Sequence, residues 1–146
     1  MEIQGGHTIS QIKRLSDRIF EHILAEKNID AFNGAQGRIL YVLWHEENIS
    51  LRELSDRTGL AATTLTSMID RMESSGLVVR IPDPDDRRKT LLALTPRSRD
   101  LQQDYTEVSA QMTAIFYEDF SEDEIELCEA MLNRIYDNLR RHNCRT

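Results

Sequence analysis

Residues 50–95 contain the pattern that most restricts what this chain can fold into. Ser50-Leu51-Arg52-Glu53 is a capping-box sequence, which predicts the start of a short helix, and Gly59 ends that helix. A second helix is predicted from Ala61 to Ser74, and Gly76 ends it in the same way. Glycine takes the left-handed conformation at a helix end at little cost, so the pattern indicates two short helices joined by a tight turn.

Two apolar runs follow the second helix. Residues 77–81 and 90–94 are rich in leucine and valine, which favours strands. Between them, Pro82-Asp83-Pro84-Asp85-Asp86-Arg87-Arg88-Lys89 has two prolines and a run of charges and is not expected to be regular structure. The strands are therefore predicted to form a hairpin with a long charged tip. Two helices, a tight turn and such a hairpin are typical of a winged helix-turn-helix, whose second helix lies in the DNA major groove.

Helical patterns flank this unit on both sides. Before it, apolar residues recur at spacings of three and four over residues 8–26, and Asn33-Gly34 begins a second helix. After it, Thr95-Pro96 begins one long helix as N-cap and first helical residue, and a capping box at residues 121–124 begins the last helix. The fold class is predicted as mainly α with a small β-hairpin wing, in the order four helices, hairpin, two helices.

The flanking helices carry apolar stripes that a small chain has little else to cover. These stripes are Ile9, Ile12, Leu15, Ile19 and Ile23 in the first helix and Ile125, Cys128, Leu132, Ile135 and Leu139 in the last. Folding back on the same chain is the alternative, but pairing with a second copy is favoured. The predicted organisation is a single domain, 1–146, with a winged helix-turn-helix part at 34–95 and helical dimerisation parts at 8–30 and 96–142.

The second helix of the winged unit has a polar outer face. Rotating by about 100° per residue places Leu65, Met68, Ile69 and Met72 together towards the core. Thr63, Ser67, Asp70 and Ser74 lie opposite them, flanked by Thr64, Thr66 and Arg71. Short hydroxyl side chains allow close approach to DNA, and Arg71 can reach a phosphate or a guanine edge. A solvated helix face would show the same polarity, so this helix alone does not decide between the two.

The distribution of charge supports the DNA interpretation, although the net charge is −7. Residues 1–49 hold 5 basic and 7 acidic side chains, residues 50–99 hold 9 and 7, and residues 100–146 hold 4 and 11, so only the middle third is basic. Arg87, Arg88 and Lys89 lie at the hairpin tip, and a narrow minor groove attracts inserted arginine. Asp86 would repel DNA if it were free, so we predict that it pairs with a neighbouring arginine.

Four stretches of the chain carry a more specific signature. They are Leu51-Arg52-Glu53-Leu54-Ser55, the run from Leu65 to Val78, the segment from Pro82 to Lys89, and Leu94-Thr95. Together they resemble the MarR family of transcription regulators. The Asp-Arg-Arg wing followed by Leu-Thr at that spacing is quite specific, and the flanking helices extend the resemblance over nearly the whole chain.

The resemblance implies a homodimer that binds a pseudo-palindromic DNA operator, usually as a repressor. It also implies that Asp86 orients Arg88, that Arg88 enters the minor groove and that Arg87 contacts the backbone nearby. The residues assigned to DNA binding are Ala62, Thr63, Thr64, Thr66, Ser67, Arg71, Asp86, Arg87 and Arg88.

The resemblance further implies release of DNA when a small effector binds, often a phenolic or anionic one. Its site is assigned by position to Phe20, Gln36, Leu40 and Trp44, with core packing as the alternative role for these residues. Residues 8–26 lack the cysteine that the peroxide-sensing branch of the family uses in its first helix. The four histidines, His7, His22, His45 and His142, are scattered, so neither a metal site nor a cofactor is predicted.

Other classes of protein are disfavoured. The two cysteines, Cys128 and Cys144, form no Cys-x-x-Cys pair and predict no disulfide framework. The chain has no Gly-rich phosphate loop or nucleophile elbow, which argues against an enzyme. It has no apolar run of 18 residues and no signal-peptide pattern, so a cytoplasmic protein without a membrane partner is expected. The remaining alternative, supported by the net charge, is a winged-helix protein-interaction module that does not bind DNA.

Overall fold

The computed structural model describes residues 1–143, and Cys144 lies outside them. This part of the chain contains seven helices and three short strands. In chain order they are α1 (Gly5–Glu26), α2 (Gly34–His45), β1 (Ile49–Ser50), α3 (Leu51–Thr58), α4 (Ala62–Ser74), β2 (Val78–Pro82), β3 (Thr90–Leu94), α5 (Pro96–Asp100), α6 (Gln102–Phe116) and α7 (Glu122–Asn143). The chain divides into two compact units, Met1–Ala110 and the part that begins at Gln111.

The helix-turn-helix consists of α3, α4 and the turn between them. Gly59 ends α3 with a φ of 74°, the left-handed conformation predicted for it. Thr58 closes the turn, because its buried hydroxyl donates to the Leu54 carbonyl at 2.7 Å and accepts from the Leu60 amide at 3.3 Å. The orientation of α4 relative to α3 therefore depends on a hydrogen-bonded turn as well as on apolar packing.

The capping box predicted at the start of α3 is half formed. The Ser50 hydroxyl accepts from the Glu53 amide at 3.2 Å, as predicted. The Glu53 carboxylate, however, lies 3.4 Å from that same hydroxyl and makes no cap with the Ser50 amide. Ser50 also belongs to strand β1, where it pairs with Leu91, so its backbone serves the sheet as well as the helix.

The sheet has three antiparallel strands in the order β1-β3-β2. The wing hairpin is confirmed: Val78 pairs with Leu94 and Pro82 with Thr90. The irregular tip begins at Asp83, one residue later than predicted. The sequence did not predict β1, because two residues are too few for an alternating pattern to be visible. Through β1, the start of α3 is attached directly to the wing.

The predicted inward face of α4 is confirmed. Leu65, Ile69 and Met72 are fully buried and Met68 is 7% exposed. They join a core formed by side chains from α2, α3 and the wing, namely Ile39, Leu40, Leu43, Leu54, Leu77, Val78 and Leu92. Burying each such side chain stabilises a fold by about 1.5–3 kcal/mol, so this core holds α4 against the sheet with its opposite face exposed.

The single long helix predicted after Thr95 is wrong. The Thr95 hydroxyl caps α5 by accepting from the Ser98 amide at 3.3 Å, but α5 ends at Asp100 and α6 begins at Gln102. The Ser98 carbonyl accepts from the Trp44 indole nitrogen at 3.0 Å and from the Leu101 amide at 3.3 Å. This carbonyl would bind the amide four residues on in a continuous helix, so a contact from α2 accompanies the break.

The first unit begins with α1 and α2. The α1 stripe changes along its length: Ile9, Ile12 and Leu15 are exposed, whereas Ile23 is 3% exposed. At the start of α2, Asn33 and Gln36 form a complete reciprocal capping box, with distances of 2.8 and 3.0 Å. The amino-terminal half of α1 therefore presents an apolar face that its own unit does not cover.

The second unit contains α7, which begins at the capping box predicted from the sequence. Ser121 and Glu124 exchange hydrogen bonds at 2.9 and 3.2 Å, and the bonds from Ser121 hold the pKa of the Glu124 carboxyl below its ordinary value. Along its 22 residues α7 has no buried side chain. Among residues 1–143, none of the helices combines the length and apolar character that spanning a membrane requires.

Candidate DNA-binding surface

The outer face of α4 presents every residue that the sequence assigned to it. Ala62, Thr63, Thr64, Thr66, Ser67 and Arg71 are all exposed. Ala61, the N-cap, offers no side-chain acceptor, so the first-turn amides are left without a side-chain cap. Such amides and the positive end of the helix dipole attract phosphates. The surface combines small hydroxyls, backbone donors and one arginine, which are groups suited to DNA.

Arg71 lies along its own helix. Its Nε is 3.5 Å from the Ser67 carbonyl, and its Nη2 is 3.5 Å from the Ser67 hydroxyl. These distances are at the weak end of hydrogen bonding, so the side chain is free to extend at little cost. Arg71 and Ser67 therefore form one polar group, in which a phosphate or base edge could replace the intramolecular contact.

The wing tip is a compact turn organised by Asp86. One carboxylate oxygen of Asp86 accepts from the Arg88 amide at 3.0 Å and from the Arg88 Nε at 3.5 Å, while the Asp86 carbonyl accepts from the Lys89 amide at 3.0 Å. The Arg88 side chain is 92% exposed and that of Asp86 is 34% exposed. The structure thus has the predicted pairing between Asp86 and a neighbouring arginine, and it leaves the Arg88 guanidinium accessible.

Arg80, in β2, is a residue of this surface that the sequence analysis missed. Its guanidinium donates to Asp70 at 2.6 Å and to Glu73 at 2.9 Å, and its amide lies 3.3 Å from the other Glu73 oxygen. The bond to Asp70 is the main cause that raises the pKa of Arg80 above its ordinary value. The outward position of Asp70 in the sequence could have indicated such a residue, because a carboxylate on a helix expected to face DNA needs a basic partner.

The carboxyl end of α4 is held by the segment that follows the wing. The Thr95 hydroxyl donates to the Gly76 carbonyl at 2.6 Å, and the Arg97 guanidinium donates to the Ser75 carbonyl. Gly76 has a φ of 77°, as predicted for a helix end. Together with the contacts of Arg80, these hydrogen bonds attach α4 to strand β2 and to the segment that follows β3.

Two of the four residues assigned to an effector site, Phe20 and Trp44, belong to a cluster of rings centred on Tyr105. The rings of Phe20, Phe32, Tyr41 and Trp44 have centroids 5.4–6.1 Å from that of Tyr105. Burial is the main cause that raises the pKa of the Tyr105 hydroxyl. Leu40 is fully buried and the Gln36 side chain serves the α2 cap. Sequence analysis missed Tyr105, because it lies far along the chain from the other rings.

Clusters of side chains suited to metal binding are absent from residues 1–143. Of the scattered histidines, His22 lies 3.0 Å from Glu26 on the same helix, and Nδ1 of His45 lies 2.7 Å from the Tyr41 carbonyl oxygen, which can only accept a hydrogen bond. These are local contacts of single side chains.

A helix-turn-helix with an exposed hydroxyl-rich second helix, beside a wing tipped with arginine, defines a winged-helix DNA-binding protein. Comparison with known proteins identifies the family. A model of the MarR family matches residues 32–90. The HTH-type transcriptional regulator YsmB of Bacillus subtilis is 30% identical over 68% of this chain and 68% of its own length. The chain belongs to the MarR family and is a DNA-binding transcription regulator, not an enzyme.

Other relatives agree over more of the chain. The transcriptional regulator MhqR of Bacillus subtilis is 27% identical over 90% of this chain and 88% of its own length. A MarR mutant from E. coli complexed with operator DNA superposes with a TM-score of 0.81 at 25% identity, covering 91% of this chain and 94% of that one. BpsR of Bordetella bronchiseptica, whose DNA binding is regulated by 6-hydroxynicotinic acid, has a TM-score of 0.81 at 24% identity, covering 92% and 99%.

Proposed function

We propose that this protein is a ligand-responsive repressor that binds a pseudo-palindromic operator as a homodimer. The observation that carries the proposal is the combined surface of α4 and the wing. Hydroxyls and Arg71 on α4 suit base edges and phosphates in a major groove, and the exposed Arg88 suits the adjacent minor groove. The E. coli relative complexed with operator DNA supports binding to an operator.

The dimer is supported by apolar surface that each unit leaves uncovered. On α7, Leu127, Met131 and Ile135 follow one another at spacings of four and are 40–61% exposed. On α1, Ile9, Ile12 and Leu15 are 41–49% exposed. A long helix gains most of its stability from packing an apolar face, and soluble monomers rarely expose such stripes. A second copy of the chain is the occupant that the two-fold symmetry of an operator requires.

The effector is proposed to be a small aromatic acid or phenol that enters beside the Tyr105 cluster. Phe20 and Trp44 are half-buried aromatic rings beside Tyr105, whose hydroxyl is a hydrogen-bond donor within the partly buried cluster. The rings of the cluster come from α1, α2, α6 and the segment before α2, so a ligand there would act through α2, which packs against α3 and wing strand β3. Regulation of BpsR by 6-hydroxynicotinic acid supports this chemical class.

A winged-helix module that binds only protein is the competing function, and its support is the net charge of −7. The acidic side chains are concentrated after residue 99, whereas residues 50–99 have a basic excess. The surface that would meet DNA is therefore the least acidic part of the chain, which favours DNA over a protein-only role.

Selection from a random pool of DNA duplexes tests the proposal. We expect the protein to enrich sequences with two related half-sites separated by roughly one helical turn, 34–36 Å between centres. Affinity for the selected duplex should fall steeply with salt, by roughly 10³-fold or more between 50 and 200 mM if each dimer makes 6–10 phosphate contacts. A protein-only module would enrich no duplex, even at low salt.

The same complex tests the effector. A panel of small aromatic acids and phenols that includes 6-hydroxynicotinic acid is added to the protein–duplex complex and, separately, to the free protein. We expect a member of the panel to release the duplex and to raise the melting temperature of the free protein. Phe20→Leu should weaken this response without changing duplex affinity. Release that Phe20→Leu leaves intact would place the effector elsewhere.

A further inference from the structure

We propose that Arg80 is a positioning residue for DNA binding, which holds the recognition helix α4 and the wing strand β2 in one fixed relation and neutralises two carboxylates on the helix. The proposal rests on the DNA-binding function proposed above. It assigns to Arg80 no contact with DNA. Its action is through Asp70 and Glu73, which it contacts directly.

The Arg80 guanidinium donates hydrogen bonds to two carboxylates at once. Asp70 and Glu73 are three residues apart on α4 and so lie next to each other on the helix surface. One terminal nitrogen of Arg80 donates to each carboxylate, at 2.6 and 2.9 Å, and the Arg80 amide adds a third bond at 3.3 Å. The planar guanidinium has the shape to span two carboxylates, which a lysine ammonium lacks.

The charges of α4 show why such a residue is needed. Asp70, Arg71 and Glu73 give the helix a net charge of −1, on the element that faces DNA phosphates. Asp70 lies on the same face as Ser67 and Ser74, and its side chain is 63% exposed. When Arg80 is counted with the charged residues of α4, the net charge of the group is zero. Removing Arg80 would leave two unpaired carboxylates beside the phosphate backbone.

The position of Arg80 in the wing gives it a second effect. Arg80 lies in the middle of β2, and the tip that carries Arg87 and Arg88 begins three residues later. A bidentate contact from β2 to α4 therefore restricts how the root of the wing can move relative to the recognition helix. DNA binding requires both elements to reach adjacent grooves at once, so restricting this motion lowers the entropy lost on binding.

Stability is not expected to depend on this contact to the same degree. The Arg80 side chain is 31% exposed and both carboxylates are more exposed, and ion pairs at such sites contribute little to folding. The apolar face of α4 is buried independently of Arg80. A loss of DNA affinity at nearly constant stability thus separates a positioning role from a purely structural one.

A double-mutant cycle on duplex binding tests the proposal, with the duplex selected by the wild-type protein as probe. We expect Arg80→Met to lower affinity about tenfold, and to lower it less than about threefold when Asp70→Asn and Glu73→Gln are already present. Arg80→Lys should recover only part of the affinity. Arg99→Met is the matched control, because it breaks an ion pair with Glu47 outside α4 and the wing, and it should leave affinity unchanged.

Urea unfolding of each variant accompanies the cycle, with midpoints expected close to that of the wild type. If Arg80→Met lowers duplex affinity equally with and without the Asp70→Asn and Glu73→Gln substitutions, Arg80 contacts DNA itself. If Arg80→Met leaves duplex affinity unchanged, Arg80 has no role in binding. Either result overturns the proposal. So does a loss that follows a lowered unfolding midpoint. If the wild-type protein selects no duplex, the proposed DNA-binding function is wrong. If the wild-type protein binds a duplex and the Arg80→Met variant binds it equally well, only the role of Arg80 is wrong.

Discussion

Asp86 and Arg88 show how a single acidic residue can serve a wing tip that is proposed to bind DNA. The Asp86 carboxylate binds the backbone amide of Arg88 as well as its Nε, so it shapes the turn and directs the side chain together. Its neighbour Asp85 instead donates its amide to the Asp83 carboxylate. Of two adjacent aspartates, one therefore organises Arg88 and the other only adds negative charge.

This difference predicts opposite effects of removing the two charges. Asp86→Ala should lower affinity for the selected duplex severalfold, because Arg88 loses its anchor, while Asp85→Ala should leave affinity equal or raise it. Arg88→Ala should lower it by about tenfold or more. Electrophoretic shift assays at one salt concentration measure all three. If Asp86→Ala binds more tightly than the wild type, net charge alone controls the tip and the orienting role is wrong.

At the scale of elements, the packing of α2 against α6 depends on a glycine. Gly37 is buried at the end of the first turn of α2, and a Cβ atom added there would lie 2.9 Å from Cε2 of Tyr105 and 3.2 Å from Cδ2 of Phe32. Glycine normally weakens a helix interior by roughly 1 kcal/mol relative to alanine. At Gly37 that loss is offset because the ring of Tyr105 can approach the α2 backbone.

Gly37→Ala is therefore expected to lower the free energy of unfolding by about 1–2 kcal/mol. The added methyl group would overpack against the Tyr105 ring, which four neighbouring rings surround, and this cost outweighs the gain in helix propensity. Gly6→Ala is the matched control: it is in α1, nothing lies within 4 Å of the added Cβ, and it should be neutral or stabilising. Urea unfolding followed by circular dichroism compares the two. Equal stabilisation by both substitutions would contradict the close packing at Gly37.

At the scale of the whole molecule, charge and apolar surface are separated along the chain. The basic excess lies in residues 50–99, and the acidic excess lies after them. The uncovered apolar stripes are on α1 and α7, outside the winged unit. One part of the chain is thus suited to DNA and other parts to self-association, which agrees with the proposed dimeric regulator.

Ile135→Asp is predicted to convert the dimer into a monomer and to weaken duplex binding strongly, because a charge would replace an exposed apolar side chain in the middle of the α7 stripe. Asn133→Asp introduces the same charge two residues away, about 200° around the helix, and should leave the dimer intact. Sedimentation velocity at micromolar concentration distinguishes the two states. A wild-type monomer, or an Ile135→Asp variant that remains dimeric, would refute the proposed interface.

Local signals in the sequence determined most of the winged unit. The ends of α3 and α4 follow from Ser50, Gly59 and Gly76, since capping and left-handed glycine are decided by neighbouring residues. The buried face of α4 follows from its periodicity. The turn at Asp86 involves residues only two or three apart, so the pairing of Asp86 with Arg88 could also be anticipated.

Contacts between distant residues were decided only by the tertiary structure. Strand β1 exists because Ile49 meets Leu92, and the break between α5 and α6 accompanies the bond from Trp44 to Ser98. The Tyr105 cluster joins three helices, and Arg80 reaches back ten residues to Asp70. A one-dimensional pattern records which side of an element is apolar, but not which polar groups the fold brings together. The residues of the proposed DNA-binding surface were therefore assigned from the sequence, whereas the contact of Arg80 with Asp70 and Glu73 was not.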